Sequence, residues 1–291
     1  MSQPRISVVM PVWNGGKYLA AAVDSILNQT FRDFEFIIVD DGSTDGTAEI
    51  LQSYRDERIR IVQEGRLGFV GAVNRGVAAA RTEWIARQDA DDVSLPARLK
   101  KQWETIRKQP AAVFCYIDIK AIGDQSRIER QPRLPRSRAL VTLKNCFQCP
   151  VCVGAALIKR STFLDAGGYR EEEFPAEDYA FVSRVLMLGE VVGVPQQLYK
   201  IRAHDAQISQ TKLELQKQQT RKIAIENCQK FMRLSEPEAR RAHAVLTTRA
   251  RARTWKEWQW FLTHCAPRLR WKSAESRLWL ALQTAKMLAG F

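Results

Sequence analysis

Two acidic turns carry the densest chemistry in this chain: Asp40-Asp41-Gly42-Ser43-Thr44-Asp45-Gly46 and Asp89-Ala90-Asp91-Asp92. Carboxylates packed this closely repel one another and would repel a phosphate. A divalent cation between them reverses both effects. Mg2+ and Mn2+ take oxygen ligands from one or two carboxylates and complete their shell with substrate phosphates. Such a cation stabilises a departing nucleoside diphosphate as a Lewis acid. The usual backbone solutions for phosphate are missing, since neither GxxxxGK[ST] nor a GxGxxG after the first strand occurs. Taken alone, an Asp-x-Asp after a strand is equally a turn and a helix cap.

The elements that must position these turns follow from hydrophobic periodicity. Strands are predicted at Ile6–Val12, Phe34–Val39, Ile59–Val62 and Trp84–Gln88. Between them, Leu19, Val23, Ile26 and Leu27 fall on one helix face, a second helix starts near Thr47 with Ser43 or Asp45 as its cap, and Gly71–Ala80 forms a third. Pro96 starts another, with Leu99, Trp103 and Ile106 on one side. Strand-helix alternation predicts an α/β, Rossmann-like, mainly parallel sheet with helices on both faces. Ligands of such sheets bind beyond the carboxyl ends of the strands, where both acidic turns lie. Further on, a strand is expected at Val153–Ile158, then a turn at Gly167-Gly168-Tyr169, a helix opened by Glu177-Asp178, and strands at Val191–Pro195 and Leu198–Ile201. Residues 124–138, rich in Arg, Pro and Gln, read as a loop.

The ordered set of motifs resembles the family 2 glycosyltransferases of the GT-A fold. Val8-Val-Met-Pro-Val-Trp-Asn14, Ser25-x-x-x-Gln29-Thr30 and Val39-Asp-Asp-Gly-Ser-Thr-Asp45 open the match. It continues through Asn74-x-Gly76, Ile85-Ala-Arg-Gln-Asp-Ala-Asp-Asp92 and Leu95-Pro96-x-Arg98-Leu99. Gly167-Gly168-Tyr169, Glu177-Asp178-Tyr179 and Tyr199-x-x-Arg202-x-His204-x-x-Gln207-x-Ser209 complete it.

The resemblance, over residues 5 to about 210, implies a metal-assisted, inverting transfer of sugar from a nucleotide-diphosphate donor, a UDP-sugar foremost, to an acceptor hydroxyl. It places Pro11, Val12, Asn14 and Asn74 beside the donor, Asp41 at the base and Asp89 at the ribose or donor sugar. Asp91 and His204 would attend the Mn2+ or Mg2+, and Asp178 would be the catalytic base. One base suffices in a single displacement when a metal carries the leaving group's charge; Glu177 is then structural or acceptor-facing. Arg66, Arg75 and Arg87 could touch phosphate or acceptor, but solvated salt bridges are expected of them first. Where many relatives have His-Pro before the Val-rich strand, this chain has Cys149-Pro150.

Composition excludes several classes. With 45% hydrophobic and 26% charged residues the chain is neither disordered nor fibrous. It has no apolar run near the ~20 residues of a spanning helix and no signal-peptide pattern, which points to the cytoplasm. Cys146, Cys149 and Cys152 are spaced like metal ligands but lack a fourth, so buried thiols are expected. The +13 net charge is concentrated from Thr211 onward, where 17 Lys and Arg face 6 Asp and Glu. The chain therefore reads as a 1–210 catalytic domain and a 211–291 helical, basic extension rich in Trp. Trp255, Trp258, Trp260, Trp271 and Trp279 lie in that extension, with an amphipathic stretch from Arg268 to Phe291. It suits the surface of the inner membrane, or packing on the catalytic domain or in a homodimer. The acceptor is expected to be a saccharide or lipid-linked, in cell-surface polysaccharide synthesis. A silent nucleotide-sugar binder is the rival reading; a nucleic-acid binder is opposed by the carboxylate-rich sheet edge and the lack of any such motif.

Overall fold

The computed structural model describes residues 3–63, 65–123, 134–204, 207, 211–247 and 255–268. The chain divides into two compact units, residues 1–134 with 151–211, and residues 135–150 with 212–291.

The first unit is an α/β domain on an eight-stranded sheet. Its strands are β1 (Ile6–Val12), β2 (Phe34–Asp40), β3 (Ile59–Gln63), β4 (Trp84–Arg87), β5 (Val93–Ser94), β6 (Ala112–Gly123), β7 (Leu157–Lys159) and β8 (Glu190–Ala203). They lie in the order β3-β2-β1-β4-β7-β6-β8-β5. The β3-β2-β1-β4 half is wholly parallel, as predicted, and β6 pairs β8 in parallel. β7 is antiparallel to both β4 and β6, and β5 to β8. All seven residues of β1 and of β2 are buried, the continuous apolar pattern of strands covered on both faces. Ile6, Val8, Met10 and Val12 pack with α1 (Leu19–Leu27), α2 (Thr47–Ser53) and α4 (Arg98–Lys108). The opposite face, with Val9 and Val39, meets α3 (Gly68–Ala79).

Three local expectations change. The Val153–Ile158 strand is a 3-10 turn, Val153–Ala155, followed by the short β7. The strands read at 191–195 and 198–201 are one element, β8. Helix α2 is capped by Gly46 and not by a side chain, although Asp45 Oδ1 accepts the Thr47 N–H at 3.0 Å. Of the loop read at 124–138, residues 124–133 lie outside the described residues.

The second unit contains α5 (Arg138–Lys144), α8 (Leu213–Met232), α9 (Glu236–Thr247) and α10 (Trp255–Trp260). Helices α6 (Arg160–Asp165) and α7 (Glu177–Leu188) belong to the first. The second core joins Leu140, Leu143, Ile225, Met232, Ala242, Trp258 and Phe261. Trp258 is 0% exposed and stacks on Phe261 at 5.4 Å. Cys146, Cys228 and Cys265 meet in this core although they are far apart in sequence. Burial and the neighbouring Cys228 push the Cys146 thiol well above its ordinary range, so it is a packing group and not a nucleophile. Trp271, Trp279 and residues 269–291 of the amphipathic stretch lie outside the described residues.

Candidate active site

Parallel pairing brings the carboxyl ends of β2, β1 and β4 to one edge: Val12 is level with Asp40, and Val9 with Arg87. The loop after β1 is laced onto the turn after β2. Asn14 adopts a left-handed φ of 51°, tolerable for Asn because its short amide bonds locally. Its Oδ1 accepts the Thr44 N–H at 2.8 Å, and its own N–H donates to Ser43 Oγ at 3.0 Å. Gly15 N–H and Gly16 N–H donate to Thr47 Oγ1 and Asp45 Oδ2 at 2.9 and 3.1 Å. Pro11 and Val12 are buried in β1, and the Val12 carbonyl takes the Asp41 N–H at 2.9 Å.

Asp41 is buried and heavily engaged. Oδ1 accepts the Leu67 N–H at 2.5 Å; Oδ2 accepts the Gly68 N–H at 3.1 Å and Arg66 Nη1 at 2.7 Å. The Arg66 guanidinium lies 3.7 Å over the ring of Trp13, which is 51% exposed. Asp41 is thus the anchor of the loop that opens α3.

The second acidic turn rests on buried cations. Arg87, 1% exposed, donates to Asp89 Oδ1 at 2.8 Å and to the Val9 carbonyl at 3.2 Å. Its Nε is buried with no hydrogen-bond partner. Beneath it, Arg98 reaches Gln88 Oε1 at 3.0 Å, Ser94 Oγ at 2.8 Å and the Arg87 carbonyl at 2.5 Å, with its guanidinium 5.0 Å from the Tyr199 ring centre. The Tyr199 hydroxyl accepts the Asp89 N–H at 3.1 Å. Burial raises the Asp89 carboxyl, with Arg87 pulling the other way and Asp91 adding to the rise. Burial and the charges of Asp89 and Asp91 push Asp92 up to about 9; its Oδ1 accepts the Arg202 N–H at 2.8 Å. Asp91 faces His204, Oδ2 to Nε2 at 3.0 Å. The His204 ring sits 5.0 Å from that of Tyr18, and Arg202 stands 4.5 Å over the same tyrosine. Among the described residues no trio of His, Cys, Asp and Glu converges closely enough to hold a metal alone.

Asp178 and Glu177 open α7. The helix cap is Ala176, with no side-chain cap bond, so capping does not account for Asp178. Its Oδ1 instead accepts the hydroxyl of Tyr169. Burial raises Asp178 to about 6, the Tyr169 bond opposing. Glu177 is 7% exposed with Oε2 buried and unpartnered, and burial with the adjacent Asp178 pushes it up to about 8. Asn74, read from sequence as a donor contact, spends both ends of its amide on Tyr169: Nδ2 donates to the carbonyl at 2.9 Å and Oδ1 accepts the N–H at 3.0 Å. It holds the turn whose tyrosine donates to Asp178.

Residues 7–165, over half of the chain, match the model of glycosyl transferase family 2. The chain is a family 2 glycosyltransferase. A Haemophilus influenzae protein named as an uncharacterised glycosyltransferase is 30% identical over 77% of this chain and 73% of its own. The Escherichia coli O-antigen biosynthesis glycosyltransferase WbnJ is 34% identical over 62% and 71%. Among solved structures, Staphylococcus aureus TarS with UDP-GlcNAc superposes with TM-score 0.66 at 18% identity, over 98% of this chain and 81% of that one. The mannosyltransferase PcManGT of Pyrobaculum calidifontis, with GDP-Man and Mn2+, gives 0.58 at 18% identity, over 100% and 86%. These two share the GT-A fold with this glycosyltransferase.

In this glycosyltransferase three features escape the motif reading. Arg87 is no solvated salt bridge: it ends a buried four-residue strand, and a cation there must find a buried partner. Gly154 is required because a Cβ would lie 2.0 Å from Asp89 Oδ2. The bond from Tyr169 to Asp178 joins two segments whose motifs are separate in sequence. Arg66 is half-exposed, but the carboxylate it pairs with, Asp41, is buried.

Proposed function

We propose that the enzyme transfers a sugar from a nucleoside-diphosphate donor, a UDP-sugar foremost, to an acceptor hydroxyl with inversion, by one in-line displacement. The observation that supports this reading is a buried, ionisable carboxyl, Asp178, bonded to Tyr169 and within electrostatic reach of Asp89, in the same acidic turn as the Asp91–His204 pair. The nucleoside would lie along Pro11, Val12, Asn14 and Asp41, with Asp89 beside the ribose or donor sugar.

The donor set around Asp91 and His204 fits Mn2+ or Mg2+, hard enough for carboxylate oxygen and completed by phosphate and water. When bound, the cation supplies Lewis-acid neutralisation of the leaving diphosphate. Asp178, at about 6, is ionised roughly ten to one at pH 7. It takes the proton of the acceptor hydroxyl as that oxygen bonds the anomeric carbon; the bond to the diphosphate breaks, and the nucleoside diphosphate leaves with the electron pair. A second carboxyl is not needed, in contrast to glycoside hydrolysis. The relative named for O-antigen synthesis supports a saccharide or lipid-linked acceptor in cell-surface polysaccharide synthesis. The basic extension would then meet the inner membrane or a second copy in a homodimer. Among the described residues no helix is long and apolar enough to cross a membrane.

The test is thermal stabilisation by UDP, TDP, GDP and CDP, each with and without Mn2+, on wild type and Asp91→Ala. A nucleotide at 100 times its Kd stabilises by about 2.7 kcal/mol. A Mn2+-dependent shift with UDP that vanishes in Asp91→Ala is expected. No shift with any nucleotide, in folded protein, would overturn the donor site.

A further inference from the structure

The hydroxyl of Tyr169 donates to Asp178 Oδ1, and the phenol is buried. Its ring is boxed by three phenylalanines: Phe69 at 6.3 Å, Phe163 at 5.9 Å and Phe181 at 5.4 Å between centroids. A ring so enclosed cannot swing its hydroxyl away. The backbone beneath it is fastened from two helices. From α3, the Asn74 amide clamps the N–H and carbonyl of Tyr169. From α7, Arg184 donates to the carbonyls of Gly168 and Ala166, each at 2.7 Å, and to Glu173. Gly168 has φ +60°, and a Cβ there would come within 2.7 Å of Asn74 Oδ1, so both conformation and space demand glycine. Two helices, a glycine and three aromatic rings converge on the placement of one hydroxyl.

We infer that Tyr169 is the positioning residue of the base: its hydroxyl binds one oxygen of Asp178 and fixes the carboxylate, leaving the other oxygen for the acceptor's proton. This rests on the reading of Asp178 as base. Fixing the carboxylate beforehand removes rotamers that would otherwise have to be lost on reaching the transition state. A hydrogen bond to the ionised form also favours that form, and here it works against burial. The other groups acting on Asp178 are Arg87 at the end of β4, which lowers it, and Asp89, which raises it. Glu177 beside it and the Cys152 thiol also sense its charge. Of these, Tyr169 alone has a hydrogen bond to it.

The test is a carboxyl titration of the full chain without substrate, using 13C-carboxyl aspartate and Asp178→Asn for assignment. Wild type should titrate near 6. Tyr169→Phe, which keeps the ring and its packing, should move the midpoint up by about one unit. Its Mn2+-dependent thermal shift with UDP should be unchanged. The acid limb of UDP release from a panel of UDP-sugars should move up by the same amount. Should Tyr169→Phe fail to fold, wild type alone decides: the ring Cζ resonance of Tyr169 should step at the Asp178 midpoint, and lie flat in Asp178→Asn. An unchanged midpoint in Tyr169→Phe, or a Cζ resonance blind to pH, overturns the inference. Full sugar transfer by Asp178→Asn would instead overturn the base reading.

Discussion

Glu177→Gln should stabilise this protein, and the gain should grow with pH. The Glu177 carboxyl stands at about 8 in the folded chain against an ordinary 4.5, because it is buried beside Asp178 with one oxygen unpartnered. Folding raises this pKa, so the penalty is absent below 4.5 and accumulates as pH rises through 8. At pH 7 the unfolded carboxyl is ionised by about 2.5 units of pH, while the native one is still mostly neutral. At 1.36 kcal/mol per unit this gives a ceiling of about 3 kcal/mol, against about 0.8 kcal/mol at pH 5. Water entering at the helix end lowers the real cost, and half the ceiling is the working figure. The assay is Tm of wild type and Glu177→Gln from pH 5 to 8.5. At about 2–4 °C per kcal/mol, the two curves should separate by several degrees as pH rises. A constant offset between them would refute the argument, since an amide-for-acid difference in packing has no reason to follow pH.

Gly154→Ala should drive Asp89 from its place against Arg87, with its Cβ 2.0 Å from Oδ2. UDP release from UDP-sugars should fall about tenfold or more while Tm drops by only the equivalent of about 1–3 kcal/mol; normal activity would mean that Asp89 has no fixed role. Trp258→Ala removes a fully buried indole from the second core and should cost about 3–5 kcal/mol. Circular dichroism melting should show the loss; an unchanged Tm would deny that core its weight.

The parallel half of the sheet was legible because β1 and β2 are continuous apolar runs closed by acidic, glycine-containing turns. What periodicity could not reveal is the antiparallel β7, whose three residues are too few to carry a period. The roles proposed for Asp41, Asp89, Asp91, Asp178 and His204 rest on ordered motifs, which locate residues along the chain but not their partners. Hence no motif linked Asn74 to Tyr169, whose backbone its amide holds, and Arg87 read as a surface cation when it lies in the core. A buried hydrogen bond between Tyr169 and Asp178 depends on how a turn meets a helix end, which no spacing encodes. The same holds for Cys146, Cys228 and Cys265, which share one core only because two distant segments are folded together.

The membership of residues 135–150 in the second unit has a consequence for how this protein can be cut and recombined. The chain leaves the α/β unit after residue 134, returns to it at 151 and leaves again after 211. A truncation at 211 would therefore not release an appendage; it would strip Leu140, Leu143 and Cys146 of Ile225, Cys228 and Trp258, and leave an apolar face in water. End-to-end fusion of residues 212–291 to another catalytic domain would likewise transplant a core lacking one of its walls. The helical unit is woven into the chain at two places, and any exchange between relatives must carry both pieces together.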